Sequence, residues 1–415
     1  MAKLAINGGP RERTTPFPSW PVWGPQEEEA LLSVLKSGKW SSITGGKKTA
    51  EFEKAFAQYC GVKHAVTANN GTSTLMMALR AVGVGPGDEV IVPAYTFFAT
   101  ASAVLFCHAI PVFADIDYDT FCLDPGAVEA AITPRTRAII PVHIGGRPAD
   151  MDRLMEVARR RGLAVVEDCA QAHGARWKGR HVGSIGDIGS FSFQSSKNMT
   201  SAEGGIVTTD SDKVAELAWS YQNCGRVPGG AWYGHKNLGW NLRLTEFQAA
   251  ILLAQLQRLD EQTAIRNRNG AYLDEHLGQI PGIEVMPRDE RIDTHGYHLY
   301  IFRVNPDVLG VDRNLFIKAL AAEGIPCSPG YVPLYKEPVF SDADGDAARF
   351  LRAIGRTDIA YRDVTLPNTE RACAQGVWFS QSVLLGSEAD MRSIANAVAK
   401  VVENVSELRE LQRTS

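Results

Sequence analysis

The sequence predicts an α/β protein: a large domain whose mainly parallel sheet is sandwiched by helices, followed by a smaller C-terminal α/β domain. Three observations predict it. At 415 residues the chain is too long for one hydrophobic core. Over its first two-thirds, short apolar runs rich in β-branched residues alternate with longer amphipathic stretches. After a long helical stretch at 244–277 the pattern changes, which puts a boundary inside that stretch and divides the chain into 1–255 and 256–415.

Taken in chain order, EVIVPAY (89–95), IPVFADID (110–117), RAIIPVHI (137–144), LAVVEDCA (163–170) and GGIVTTD (204–210) are solid apolar runs. Strands of that kind are buried on both faces, as in a parallel sheet under two helix layers. Between them, PADMDRLMEVARRRG (148–162) sets Met151, Leu154, Met155 and Ala158 at helical spacing. Earlier, a strand gives way to a helix in TANNGTSTLMMALRAVG (67–83). Beyond the long helix, HLYIFRV (298–304) predicts a strand, and DRNLFIKALAAEG (312–324) and EADMRSIANAVAKVVENVSEL (388–408) predict helices. No internal repeat or low-complexity segment is visible.

Composition narrows the function classes. With 45% hydrophobic and 22% charged residues the chain has the balance of an ordinary globular protein. A net charge of −4 gives no basic field for nucleic acid. No apolar run approaches the roughly 20 residues of a spanning helix, and the first residues lack the apolar core of a signal peptide, so a cytoplasmic protein without a membrane partner is expected. Seven scattered cysteines without CxxC spacing predict neither a metal site nor a disulfide framework.

Chemistry-bearing residues fall where the carboxyl ends of parallel strands would put them: Asp115, Asp117, His143 and Asp168. That edge is where ligands bind in open α/β sheets. The alternative, ordinary turn and cap residues, suits Asp117 and Asp119 better than Asp168. In NNGTST, free N–H groups at a helix start and the hydroxyls of Thr72 and Ser73 offer a phosphate site, although any N-cap uses the same residue types. A buried Asp168 needs a cation or strong donors opposite it, or it caps a loop.

The stretch FSFQSSKNMTSAEGGIVTTD (191–210) carries Lys197. A lysine can condense with an aldehyde and shuttle protons as a free amine when desolvation lowers its pKa. A lone lysine is more commonly a solvated charge. Here Ser192 lies five residues earlier and can bond a phosphate, while the Glu203-Gly204-Gly205 turn holds the loop.

Five segments in register, NNGTSTLMMAL, VPAYTFFATASAV, EDCAQAHGA, SFSFQSSKNMTSAEGG and GWNLRLTEFQAAIL, resemble the DegT/DnrJ/EryC1/StrS family of PLP-dependent sugar and cyclitol aminotransferases. The resemblance spans nearly the whole chain. It implies the fold type I architecture of PLP-dependent aminotransferases and the cofactor pyridoxal 5'-phosphate, cycling with its pyridoxamine form. Lys197 matches the lysine that holds the cofactor's aldehyde, and Asp168 the partner of the pyridine nitrogen. Gln171 matches a position near the phenolic oxygen, and Phe97 one that stacks on the ring. Ser192 with Gly71, Thr72 and Ser73 matches the phosphate cradle. Asn241, with Arg243 beside it, matches the residue that reaches a neighbour's phosphate across a dimer interface, which implies a homodimer with shared sites; read alone, Asn241 is an N-cap for the following helix.

The implied reaction is transamination from glutamine or glutamate to a keto-cyclitol or ketosugar in aminosugar or aminocyclitol biosynthesis of the antibiotic type. His143, Arg243, His298, Tyr331 and Tyr335 are substrate candidates, and the two histidines read equally as structural. Two departures stand out. Members acting on nucleotide-linked sugars often carry histidine before the tyrosine of SPGYVPLYKEP, where this chain has Gly330, and a serine-leucine-proline run late in the chain, where this one has GVWFSQSVLLGSEADM. Both incline the reading toward cyclitols and free ketosugars over a nucleotide-linked 3- or 4-keto-sugar. Ala202 also stands where a glycine is usual. Among rivals, a sugar dehydratase of the family would carry histidine at position 197, a non-catalytic PLP-binding regulator would lack one of Lys197, Asp168 or Ser192, and a nicotinamide oxidoreductase would need GxGxxG in place of NNGTST.

Overall fold

The computed structural model describes residues 3–414; Met1, Ala2 and Ser415, at the outer ends of the two predicted domains, lie outside the described residues. In chain order the strands are β1 (His64–Ala68), β2 (Glu89–Pro93), β3 (Ile110–Ala114), β4 (Thr136–Ile139), β5 (Ala164–Asp168), the short β6 (Arg176–Trp177) and β7 (Arg180–His181), β8 (Ile188–Ser192), β9 (Gly205–Thr209), β10 (Ile283–Val285), β11 (Ile292–Thr294), β12 (Leu299–Val304) and β13 (Gly376–Ser380). Seven of them form the main sheet in the order β1-β9-β8-β5-β4-β2-β3. The pairs β2/β3, β2/β4, β4/β5 and β5/β8 are parallel, and β9 runs antiparallel to both β8 and β1. The fold is therefore α/β with a mainly parallel central sheet flanked by helices.

Every residue of β2, β8 and β9 is buried, as helix layers on both faces require. The helices begin with α1 (Pro25–Ser37), α2 (Lys48–Cys60), α3 (Gly71–Ala81), α4 (Ala99–Phe106), α5 (Pro125–Ala131) and α6 (Met151–Arg161). In α6 the residues Met151, Leu154, Val157 and Ala158 face inward while Arg159, Arg160 and Arg161 sit in the last turn, where they complement the helix dipole. All the predicted strands are present. The sequence reading missed β8, because IGSFS lacks a long apolar run; Gly189 is needed there, since a Cβ would fall 2.4 Å from Gly183 Cα and 2.5 Å from Thr208 Oγ1.

The predicted 244–277 helix is two, Glu246–Leu256 and Leu259–Leu277. Arg258, at the break, bonds Val22 O at 2.9 Å and Glu27 at 2.9 Å, so the joint is tied to the N-terminal segment and α1. The predicted 388–408 helix likewise breaks at Asn404, whose Nδ2 bonds Lys400 O at 2.7 Å. Strands β10, β12 and β13 form a second sheet backed by the helices Arg313–Ala322 and Glu388–Glu403, with Leu4 from the N-terminal region in the same core. Leu334, Tyr335, Phe340, Leu351 and Tyr361 from the late chain pack into the core of the main sheet. Among the described residues no helix is long and apolar enough to cross a membrane.

One buried network fixes the carboxyl edge of the sheet. Glu167, fully buried on β5, accepts hydrogen bonds from the backbone N–H groups of Gly183 (2.9 Å), Ile185 (2.7 Å) and Gly186 (2.7 Å) and sits 3.1 Å from His143 Nε2. His143 Nδ1 accepts from Ala149 N–H at 3.0 Å, so the ring proton lies on Nε2 and is donated to Glu167. Burial works to raise the Glu167 pKa, but His143 and the N–H donors hold it below the ordinary carboxylate range. Its stabilising contribution is thus present above the unfolded-state pKa and is lost as pH falls through the lowered folded value. Glu167→Gln is expected to lower the unfolding free energy by about 2–4 kcal/mol in denaturant melts at neutral pH. The gap from wild type should narrow as the melts are taken below about pH 4, where the carboxylate of the unfolded chain takes up a proton while the folded one still resists it.

Candidate active site

The loop after β8 closes on itself. Phe193 N–H bonds Gly204 O at 2.8 Å and Ser201 N–H bonds Phe193 O at 3.1 Å, so the intervening residues project as a tight loop with Lys197 near its tip. Lys197 N–H bonds Gln194 O at 2.9 Å. The neighbouring Asn198 is buried and anchors the loop from beneath, donating from Nδ2 to Gly296 O at 2.6 Å and facing His298 Nδ1 at 3.2 Å. Ala202 sits at φ 71°, in the left-handed region that favours glycine. The half-buried Lys197 side chain makes no hydrogen bond or ion pair among the described residues. Burial draws its pKa down to about 8, with Asp168 pulling the other way.

Asp168 ends β5 and is buried. Its Oδ2 accepts from Thr100 Oγ1 at 2.9 Å and its Oδ1 from Ala170 N–H at 3.2 Å. Burial pushes its pKa up, opposed by those two donors and by the charge of Lys197. No cation contacts it among the described residues. Gln171, three residues on, accepts from Gly145 N–H at 2.7 Å and donates to Tyr331 OH at 2.8 Å. Tyr331 in turn packs edge-on against Tyr95 and Trp378, with ring centroids 5.5 and 4.6 Å away.

Gly71 opens α3 directly against Ser192. A Cβ on Gly71 would lie 2.5 Å from Ser192 Cβ and 2.9 Å from its Oγ, so only glycine lets the helix N-terminus meet that hydroxyl. The N-cap is Asn70, whose Oδ1 accepts from Ser73 N–H at 2.8 Å, so the hydroxyls of Thr72 and Ser73 are not spent on capping. Phe97, after β2, is 57% exposed. Asn241 is exposed and bridges Asn223, while the next helix is capped by Thr245, which removes the N-cap reading of Asn241. Arg243 bonds Asn223 Oδ1 at 3.0 Å.

Three substrate candidates are otherwise engaged. His143 has both ring nitrogens committed, to Glu167 and Ala149. Tyr335 is buried in the main core, with its hydroxyl 2.7 Å from Glu370 Oε1 and accepting Leu366 N–H at 3.2 Å. His298 is buried against Asn198, and burial holds its ring neutral, reinforced by the charge of Lys197. Among the described tyrosines Tyr331 is the one hydrogen-bonded to Gln171. Sequence reasoning missed Thr100, one helical turn beyond Thr96 and hydrogen-bonded to it at 3.0 Å, and Asn198, beside the lysine; neither residue type carries a signal of its own.

The profile of the DegT/DnrJ/EryC1/StrS aminotransferase family matches residues 22–398. The L-glutamine:2-deoxy-scyllo-inosose aminotransferase of Streptoalloteichus tenebrarius is 42% identical over 425 residues, covering 98% of this chain and 99% of that protein. The 3-amino-5-hydroxybenzoate synthase of Amycolatopsis mediterranei is 38% identical over 388 residues, 93% of this chain and 97% of that protein. Among solved structures, that of a 3-amino-5-hydroxybenzoic acid synthase superposes with a TM-score of 0.85 at 36% identity, covering 94% of this chain and all of that one.

The Lys197 environment makes a measurable claim. In protein freed of carbonyl compounds, labelling of Lys197 by an amine-selective reagent, followed by peptide mass spectrometry, is expected to rise with an inflexion near pH 8, against 10.5 for an ordinary lysine. Asp168→Asn should move that inflexion lower still, because it removes the anion that favours the ammonium form.

Proposed function

The chain belongs to the DegT/DnrJ/EryC1/StrS aminotransferase family and is an enzyme that transfers amino groups, and from that premise we propose that it moves the amino group of L-glutamine onto the ketone of a cyclitol. Members of the family are PLP-dependent. The residues of this chain fit that cofactor on four counts. The Gly71–Ser192 approach makes a cradle that any Cβ would fill, suited to a phosphate. Phe97 exposes a ring at the sheet edge that a second ring would cover. Asp168 is a buried carboxylate lacking a contacting cation, and Lys197 an unpartnered amine with a lowered pKa.

In this reading Ser192, Gly71, Thr72 and Ser73 would bind the phosphate and Phe97 would stack on the ring. Asp168, oriented by Thr100 and Ala170 N–H, would keep the ring nitrogen protonated. Gln171, held by Gly145 and Tyr331, would face the phenolic oxygen. When bound, pyridoxal phosphate supplies an electron sink and carries nitrogen between donor and acceptor. Lys197 would hold the aldehyde and, once free as an amine, would move a proton from the donor's α-carbon to the cofactor's C4′ carbon, and in the second half-reaction from that carbon to the acceptor carbon that gains nitrogen. A pKa near 8 keeps a useful fraction of that amine neutral at physiological pH. The observation that carries the proposal is this pairing of an unpartnered, desolvated lysine with a buried carboxylate at one sheet edge.

The donor and acceptor follow the named relative, whose substrates are L-glutamine and 2-deoxy-scyllo-inosose. Tyr331 is the acceptor-side residue and Arg243 a second contact. We further read the protein as a homodimer with Asn241 reaching the partner's phosphate; Asn241 is exposed, and so are Trp232, Tyr233 and Leu238 in the segment before it. Residues 1–255 would bind the cofactor and 256–415 form the smaller domain.

Wild-type protein given pyridoxal phosphate is expected to show a visible absorbance band that L-glutamine bleaches, and to aminate 2-deoxy-scyllo-inosose. Lys197→Ala should lose the turnover by at least ~10³-fold and fail to form the lysine-dependent band. No band in the wild type would overturn the proposal. The shared site has its own test: Lys197→Ala and Asn241→Ala, each inactive alone, should regain about a quarter of wild-type activity when unfolded, mixed and refolded together, because each mixed dimer carries one intact site. Absence of any recovery would assign Asn241 to its own subunit's site.

A further inference from the structure

A cavity of about 560 Å³ opens behind the turn that follows β4. Its lining contains neither Lys197, Asp168, Gln171 nor Tyr331. Arg147 lines it, is only 5% exposed, and among the described residues its guanidinium makes no hydrogen bond, ion pair or ring contact. With five donors and no acceptor among the described residues, the guanidinium takes its acceptors from whatever fills the cavity, water included. Val285, Met286, Leu299 and Ile301 give the same cavity an apolar strip.

The acidic groups around the cavity limit the charge of a ligand. Asp289 is spent on Arg291 at 2.7 Å, and Asp293 accepts Gly179 N–H. Asp274 accepts from Tyr300 OH at 2.8 Å, and burial raises its pKa. None of the three forms an ion pair with Arg147; set against Arg147, Arg288 and Arg291 they leave the wall with no excess positive charge for a dianion such as phosphate. We infer that this cavity binds a small monocarboxylate with an apolar body, its carboxylate paired in fork geometry with Arg147 and its body on the Val285–Met286 strip. The size suits such a ligand.

The cavity wall is also the wall of the candidate active site. Gly146, at φ 94°, lets its turn meet the 295–298 segment, and Gly296 N–H bonds Gly146 O at 2.7 Å. From the other side the same segments hold Gln171, through Gly145 N–H, and Asn198, through Gly296 O. This inference stands apart from the function proposed above, since it uses none of that site's residues.

Benzoate is a suitable probe, being a monocarboxylate with an apolar body that cannot donate an amino group. In a saturation-transfer NMR titration of the purified protein, wild type is expected to bind benzoate with a Kd on the order of 1 mM. Arg147→Gln should weaken binding at least tenfold, and so should Met286→Trp, which fills the cavity and leaves Arg147 in place. Lys197→Ala should bind as wild type does. Lack of wild-type binding up to about 20 mM, binding that survives either cavity variant, or binding lost in Lys197→Ala would each overturn the inference, the last by placing the probe at the lysine.

Discussion

Adjacent residues of a strand point to opposite faces of the sheet, and the last two residues of β5 are both carboxylates. Much of the rest follows from how the chain treats them differently. Glu167 is satisfied by three backbone N–H groups and by His143, so it is a finished structural element. Asp168 receives one hydroxyl and one N–H and faces an amine it does not touch. A buried carboxylate left in that condition costs stability in the folded chain alone. Loss of that kind is retained where a ligand supplies the missing cation, and it concentrates at functional sites.

The satisfied member of the pair holds the unsatisfied one in place. Glu167 fixes the 183–186 turn and His143; His143 holds Ala149 N–H and thereby the run into α6. Between them, Gly145 presents its N–H to Gln171. His143, whose place at a strand end made it a substrate candidate, therefore acts at one remove: it sets the backbone that orients Gln171. Lys197 is steadied similarly through its neighbour, because Asn198 ties the loop to Gly296.

What was legible in the sequence tracked the strength of local signals. The buried strands announced themselves as apolar runs, and the lysine and the strand-terminal aspartate each carried a chemical reason to stand out. β8 was illegible because its pairing demands Gly189 and small neighbours, so no apolar run remains to be seen. The helix breaks at Arg258 and Asn404 were illegible because neither is a Gly or Pro; each depends on a contact or cap that exists only in the folded chain. Tyr331 and Tyr335 stand four apart in one segment and looked equivalent, yet one hydroxyl meets Gln171 and the other Glu370 in a separate core. Side-chain direction of that kind is set by tertiary packing, and composition does not carry it.

Position 330 shows how packing constrains this end of the candidate site. Gly330 lies at φ 81°, and a Cβ there would fall 2.8 Å from Trp378 Cε2 and 2.9 Å from Tyr95 OH. Trp378 donates from Nε1 to Tyr95 OH at 3.0 Å, and its main chain pairs with Ser328, so the indole is fixed from two sides. A larger residue before Tyr331 would have to displace that indole and take up a backbone conformation that L side chains rarely adopt. The glycine and the tryptophan are thus one feature: the indole occupies the volume that a side chain at 330 would need, and Tyr331, packed edge-on against it, keeps its hydroxyl on Gln171. Replacing Gly330 alone would leave two side chains competing for one space, so a change at this end of the site requires both positions to move together.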